Sequence, residues 1–304
     1  MLVYSQISSN KRKTWLLIFS FLIVIILLGW VFEHAYNNPG ILVFAVIFSI
    51  ASALFSYFFS DRITLAISRA QPIDRQTNQE LYRVVENLAI ASGLPTPRIY
   101  IIEDAAPNAF ATGRDPKHAV VCVTSGLLAL MNKTELEGVI AHELSHVGNY
   151  DIRLSTIVVV LVGLVTLLAD WFLRFSFFGG RRRSSDSEGG QIQAIFMIVG
   201  IVLAILSPVI ATIIQLAVSR KREYLADASG ALLTRYPEGL ASALEKLRDY
   251  QRPLAEANKA TAHLYIVNPL KDSGGQTTGF LANLFNTHPP LEDRIKRLRA
   301  MDIG

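Results

Sequence analysis

The sequence predicts a mostly α-helical protein with a small β-sheet, held in a membrane by four hydrophobic helices. Three observations carry this: uninterrupted apolar blocks, a short region of strand-like alternation, and a histidine-bearing segment with helical periodicity. Apolar residues make up 51% of the 304 and charged residues only 18%, against about 25% charged in an ordinary soluble domain. The excess is gathered into blocks and not spread along the chain, which is the pattern of bilayer spans.

The blocks run from Thr14 to Phe32, Ile41 to Phe59, Ser155 to Phe178 and Ile192 to Val218. Each is long enough for a hydrocarbon core that takes about 20 residues of helix. Lys11, Arg12 and Lys13 before the first block give it the flank of a signal peptide. It exceeds the roughly 7–15 apolar residues of such a peptide, no small-residue cleavage site follows, and a second block arrives at once, so an uncleaved span is expected. Asp170 and Arg174 interrupt the third block and Pro208 the fourth; such residues turn toward protein or water. The polar stretch from Gly179 to Gly190 between them, with Arg181, Arg182 and Arg183, reads as a solvated linker.

Flanking charges set the orientation. Basic residues lie before the first block, after the second (Arg62, Arg69, Arg75), before the third (Arg153) and after the fourth (Arg220, Lys221, Arg222), while the first loop holds only Glu33. Both ends and the polar regions are therefore expected in the cytoplasm, with the Arg181–Arg183 triplet against the rule. Four parts follow: an N-terminal hairpin over 1–60, the first part of a catalytic domain over 61–154, a second hairpin over 155–218, and the second part over 219–304.

The polar regions have the marks of folded structure. A helix is expected from Thr77, capped by that residue with Glu80 three places on, its stripe formed by Leu81, Val84, Val85 and Leu88, and ended by Gly93 and Pro95. Arg98–Ile102, Asn108–Thr112 and His118–Thr124 alternate like strands, the last two joined by a turn through Gly113, Asp115 and Pro116. Two more helices are expected, from Pro237 to Tyr250 and from Pro290 to Met301. The net charge of +4 is mild and lies beside the apolar blocks, as contact with anionic headgroups requires. No basic face interleaved with aromatics is present, which argues against nucleic acid as a partner. With Cys122 alone there is no intrachain disulfide and no cysteine cluster for zinc, so a metal site must use histidine and carboxylate.

The segment from Thr134 to Val147 contains His142, Glu143 and His146 in the His-Glu-x-x-His spacing. Thr134 with Glu137 reads as a capping box, and Leu136, Val139, Ile140, Leu144 and Val147 supply the apolar face. On a helix the two histidines stand one turn apart, so both imidazoles reach one ion. Glu143 is turned about 100° from His142 and comes beside the open metal position, where it can take a proton from water and pass it to a leaving amine. A catalytic zinc wants a third protein ligand. The residue at 152 is isoleucine, which removes the metzincin pattern. Glu223, directly after the fourth block, is the better candidate: the hairpin between 155 and 218 goes out and back, returning it to the histidines' face. Asp227, one turn on, is placed to hydrogen-bond a ligand imidazole.

These motifs resemble the HtpX-type membrane metalloproteases, relatives of the CaaX prenyl protease. The matching pieces are the two early spans, Pro107–Gly113, His142–His146, the two later blocks, Arg222–Asp227 and Thr287–Arg294. The resemblance implies a gluzincin-like metalloprotease domain binding one Zn2+ per chain, with Glu223 completing the shell. It implies that Asn108, Ala109, Phe110 and Ala111 form an edge strand that pairs with substrate backbone. His288 and Arg294 would face the site and steady the substrate carbonyl or the oxyanion. From their own surroundings, His288 could equally cap the last helix and Arg294 be a surface charge. The family setting implies polypeptide substrates, membrane proteins among them, and proteolytic quality control in the bacterial inner membrane with the site facing the cytoplasm.

His34, His118 and His263 read as structural or exposed, and Cys122 as a buried apolar residue. A metal-binding scaffold or chaperone without catalysis is the alternative reading; Glu143 weighs against it, because a structural zinc needs no proton shuttle. A metal transporter would need more intramembrane charge than these blocks carry.

Overall fold

The structure, a computed structural model, describes residues 3–178, 198, 220–250, 254, 261–269 and 289–302. Two long apolar helices open it, α1 (Val3–Tyr36) and α2 (Gly40–Ile67). Both are long and apolar enough to cross a membrane, their most apolar 18-residue stretches having mean hydropathy 2.8 within Ile7–His34 and 2.4 within Gly40–Ile67. They pack through small residues. Ala45, Ser49, Ala53, Ser56, Ser60 and Thr64 form the buried stripe of α2, and Gly29 of α1 sits so close that a Cβ there would lie 2.3 Å from the Ala45 Cβ. Such stripes let helix backbones approach where apolar burial gives no net drive. Large side chains such as Leu16, Phe19, Phe44 and Ile47 face outward.

A four-stranded sheet follows: β1 (Gln71–Pro72), β2 (Arg98–Ile102), β3 (Ala109–Thr112) and β4 (Val120–Thr124), in the order β1-β2-β4-β3. β4 runs parallel to β2, Tyr100 opposite Cys122, and antiparallel to β3, Phe110 opposite Cys122. β3 is thus an edge. The helix α3 (Gln79–Ser92) lies between β1 and β2 in sequence, with the expected stripe buried and Gly93 left-handed at its end (φ 68°). Its cap is Asn78, which accepts from the Leu81 N–H; Thr77 instead donates to Asp74. The third strand begins two residues later than expected, because Pro116–His118 makes a 3-10 turn with Asp115 accepting from the His118 N–H.

After the short α4 (Ser125–Leu130) comes α5 (Lys133–Gly148), which carries the His-Glu-x-x-His segment. The capping box is present two residues earlier than the sequence suggests: Asn132 accepts from the Glu135 N–H, and Glu135 accepts from the Asn132 N–H. Glu135 also bonds Lys246 and Ser242, so tertiary partners lock the start of α5 at Asn132.

The helix α6 (Asp151–Phe178) begins one residue past a tight turn and covers the third apolar block, packing on α1 and α2. The fourth block lies outside the described residues apart from residue 198, as does the Arg181–Arg183 triplet. The chain is next described at α7 (Arg220–Thr234), α8 (Pro237–Asp249) and α9 (Leu291–Arg299). α5 packs between α3, α7 and α8, and the main core gathers Leu81, Val85, Val139, Ile140, Leu144, Leu240, Leu244 and Leu298. Two glycines set the α5–α8 distance: a Cβ on Gly138 would meet the Leu240 backbone at 2.6 Å, and one on Gly239 the Thr134 carbonyl at 2.6 Å.

Candidate active site

α5 and α7 cross with small residues between them. Ala226, Gly230 and Ala231 share the buried face of α7 with Glu223 and Asp227, and Gly230 rests on the His142 backbone. This close approach brings residues 81 positions apart into one cluster. His142 Nε2 and His146 Nε2 are 3.2 Å apart, and Glu223 reaches them at 3.8 Å and 3.5 Å. In a tetrahedral zinc site with bonds of about 2.0–2.1 Å, neighbouring ligand atoms lie roughly 3.3 Å apart. The three donors therefore have the spacing of one face of such a site.

Each imidazole is held from behind. His142 Nδ1 meets Asp227 at 2.9 Å, the contact expected of Asp227. His146 Nδ1 meets Asp151 at 2.9 Å. A carboxylate on Nδ1 keeps the proton there and leaves the Nε2 lone pair for a metal. Asp151 was not among the sequence candidates. Its one signal was position, an acid just past the end of the histidine helix; what brings it back is Tyr150, held left-handed at φ 60°.

The electrostatics suit a divalent cation. Burial lowers the pKa of His142, with Asp227 opposing, so this imidazole is neutral. Burial acts likewise on His146, but Asp151, Glu223 and Glu143 outweigh it and lift it to about 9. Four buried carboxylates (Glu143, Asp151, Glu223, Asp227) face two buried guanidinium groups (Arg222, Arg294). The carboxylates are in excess, which draws positive charge to this spot, the proton on His146 included. Glu143 itself is pushed to about 7, chiefly by burial with Glu223 adding, while His146, Arg294 and the Ala111 N–H pull against that rise.

Arg294 is wholly buried. Its Nε and one terminal nitrogen bind Asp227 at 2.9 and 2.7 Å, and its other terminal nitrogen lies 3.3 Å from the Ile266 carbonyl and 3.6 Å from Glu223. One terminal nitrogen is 3.4 Å from both ring nitrogens of His142, so it lies against the ring and not in line with either lone pair. The resemblance implies that Arg294 faces the site; the structure places it there, against the His142 ring and behind the donors, where it fixes Asp227. His288 lies outside the described residues.

All of Asn108, Ala109, Phe110 and Ala111 are buried. The outer edge of β3 is partly taken by the chain itself: Ile266 N–H donates to the Ala109 carbonyl, and the Asn108 side chain donates to the Val267 carbonyl. Phe110 turns away from α5 onto Tyr265. Of the four, Ala111 lines the cleft, together with Glu143, the three donors, and His263 and Leu264 across from them. His263 is buried, with Nε2 3.3 Å from the Ser155 carbonyl. His34 and His118 lie elsewhere and are exposed, and Cys122 is buried in the sheet with its thiol pKa raised by burial.

Residues 75–302 match the family model described as Peptidase family M48. This chain belongs to peptidase family M48. As an M48 peptidase it is a metal-dependent hydrolase of peptide bonds, and the HtpX resemblance is borne out by its relatives. It is 49% identical over 301 residues to a protease HtpX homolog of Dictyoglomus thermophilum, covering 98% of this chain and 94% of that one. A homolog from Tropheryma whipplei is 46% identical, covering 99% of each chain. The fold is similar to that of S. mikatae Ste24p, with TM-score 0.50 and 20% identity, covering 97% of this chain and 67% of that one.

Proposed function

We propose that this M48 peptidase is a zinc endopeptidase that cuts membrane or membrane-proximal polypeptides, misfolded ones among them, at the cytoplasmic face of a bacterial inner membrane. The observation that carries the reading is the convergence of His142, His146 and Glu223, each imidazole backed by its own carboxylate, beside the buried Glu143. In this reading the three side chains hold one Zn2+. A bound zinc would supply Lewis acidity, lowering a water's pKa toward about 7 and polarising the scissile carbonyl.

The remaining work falls to the chain. Glu143 takes a proton from the attacking water and passes it to the departing amine nitrogen. Burial favours the proton on Glu143, and a group that must both accept and donate a proton works best with a pKa near the ambient pH. Asp227 and Asp151 hold the two imidazoles in one tautomer, and Arg294 pins Asp227. Substrate backbone runs along β3 at Ala111, and reaches Asn108, Ala109 and Phe110 on displacement of residues 266–267. His288 is assigned to the substrate carbonyl on its motif alone.

Multi-pass insertion through the four hydrophobic segments is part of the same proposal. α1 and α2 support it with their outward apolar side chains. The four-part division at 60, 154 and 218 belongs to the same proposal, with the second hairpin joining two pieces of one catalytic domain. The test is cleavage of an unfolded membrane protein by purified full-length chain and by Glu143→Gln. The variant should keep its zinc and lose about 100-fold or more in kcat; equal cleavage by both would refute the reading.

A further inference from the structure

We propose that Asn10, on the first apolar helix, is a positioning residue for the metal site: it fixes His146 through Asp151 and ties metal affinity to the seating of α1. The inference rests on the reading of His146 as a metal ligand.

Asn10 is buried, 1% exposed. Its Nδ2 donates to Asp151 Oδ1 at 2.7 Å and to the Asn149 carbonyl at 3.0 Å. Its Oδ1 accepts from Arg222 at 3.2 Å. Both amide hydrogens are thus used, and the amide has one sensible orientation, because flipping it would set its NH2 against the guanidinium. Asp151 divides its two oxygens. Oδ1 receives Asn10 and, at 3.4 Å, Arg222, while Oδ2 meets His146 Nδ1 at 2.9 Å. The carboxylate cannot rotate away from the imidazole without giving up these partners.

The placement of Asn10 is specific to the site. Its two donor bonds grip both ends of the turn that leaves the histidine helix, Asn149 and Asp151, with left-handed Tyr150 between them. Lys11, the next residue, sets its ammonium 4.6 Å from the centre of the Tyr150 ring. Its acceptor bond reaches Arg222, the neighbour of Glu223. One amide therefore joins Asp151, which backs His146, to Arg222, the residue before Glu223, across 139 to 212 residues of sequence. A buried amide left without partners is costly, so the polar end of α1 has one low-energy seat, and that seat is the back of the metal site.

The experiment is zinc affinity of the purified full-length chain in detergent, read by competition with a chelating dye. Wild type is compared with Asn10→Ala, Asp151→Ala, their double variant, His146→Ala and Thr14→Val. Removing a partner behind a ligand weakens metal binding by about 10–100-fold, and Asn10→Ala should fall near the lower end of that range. In the Asp151→Ala background the same change should have less than about a twofold effect. Thr14, whose hydroxyl among the described residues bonds only its own helix at the Asn10 carbonyl, should tolerate valine with wild-type affinity.

Wild-type affinity in Asn10→Ala, or an equal loss on top of Asp151→Ala, would overturn the proposal. If Asn10→Ala does not fold, isosteric Asn10→Asp carries the test. It keeps shape and the Arg222 contact but sets an oxygen against Asp151, so it should lose as much; wild-type affinity there overturns the proposal too. Zinc held as tightly by His146→Ala as by wild type would sink the metal reading itself, a result distinct from failure of the Asn10 variants alone.

Discussion

Replacing Gly230 by alanine should loosen the metal site while leaving the fold intact. A Cβ at 230 would stand 3.0 Å from the His142 nitrogen, 3.2 Å from the Ala141 carbonyl carbon and 3.3 Å from the His142 Cα. Ordinary carbon contacts sit near 3.5–4.0 Å, so α7 must move off α5 by about half an ångström. These are backbone atoms of a buried helix and do not swing aside as a side-chain end would. Overpacking of this kind costs about 1–3 kcal/mol, and alanine returns about 1 kcal/mol in helix propensity. The net loss of about 0–2 kcal/mol should lower the unfolding temperature without abolishing folding. Glu223 stands two turns earlier on the same face and moves with the helix, whereas metal–ligand distances tolerate only about 0.2 Å. Strain of roughly 1.4 kcal/mol that is relieved when Glu223 lets go corresponds to about tenfold in zinc affinity. Chelator competition and thermal unfolding in detergent read both effects, with Gly163→Ala as the control, since among the described residues nothing lies within 4 Å of a Cβ there. Wild-type zinc affinity in Gly230→Ala would show that the helix contact does not set the position of Glu223, and the reasoning would be wrong.

Arg294→Met should cost about 3–5 kcal/mol of stability, because it leaves Asp227 charged and buried with its strongest partner gone; a loss under about 1 kcal/mol in denaturant unfolding would contradict this. Glu135 should contribute to acid sensitivity. Burial raises its pKa, but Lys246, the Asn132 N–H and Ser242 outweigh that and hold it below 4.5. Its folded pKa being the lower one, its stabilisation is complete above about pH 4.5 and is lost as pH falls through the folded value. The stability gap between wild type and Glu135→Gln should therefore shrink from about pH 7 to about pH 3; a gap that widened would invert the sign. Stripping the metal with a chelator should abolish proteolysis and zinc should restore it, whereas full activity in chelator would exclude a metal from the chemistry.

The contrast between what was legible and what was not follows sequence separation. His142, Glu143 and His146 could be read because helical spacing alone puts them together. Glu223 and Asp227 could be read only by expecting the 155–218 segment to go out and back; the structure places both beside the histidines. The caps differ by one or two residues because Asn78 and Thr77, or Asn132 and Thr134, offer equivalent oxygens; at α3 the nearby Asp74 takes the Thr77 hydroxyl, and at α5 tertiary bonds choose. Lys246 and Ser242 select Glu135 over Glu137. Asp151 and Asn10 were missed because their partners are set by how α1 lies against α5 and α6, which no periodicity encodes. Arg294 was seen, but sequence cannot say on which side of an imidazole a guanidinium will sit. Likewise, nothing in the strand pattern told that Ile266 would bond the Ala109 carbonyl at the free edge. The fourth hydrophobic segment, apart from residue 198, and His288 lie outside the described residues.

X-ray absorption at the zinc edge of the loaded full-length protein tests the central claim most directly. Two imidazoles and a carboxylate oxygen are expected, with Zn–N near 2.0–2.1 Å and one further light-atom ligand. A sulfur ligand, an imidazole count other than two, or an unchanged spectrum in Glu223→Ala would contradict the site described.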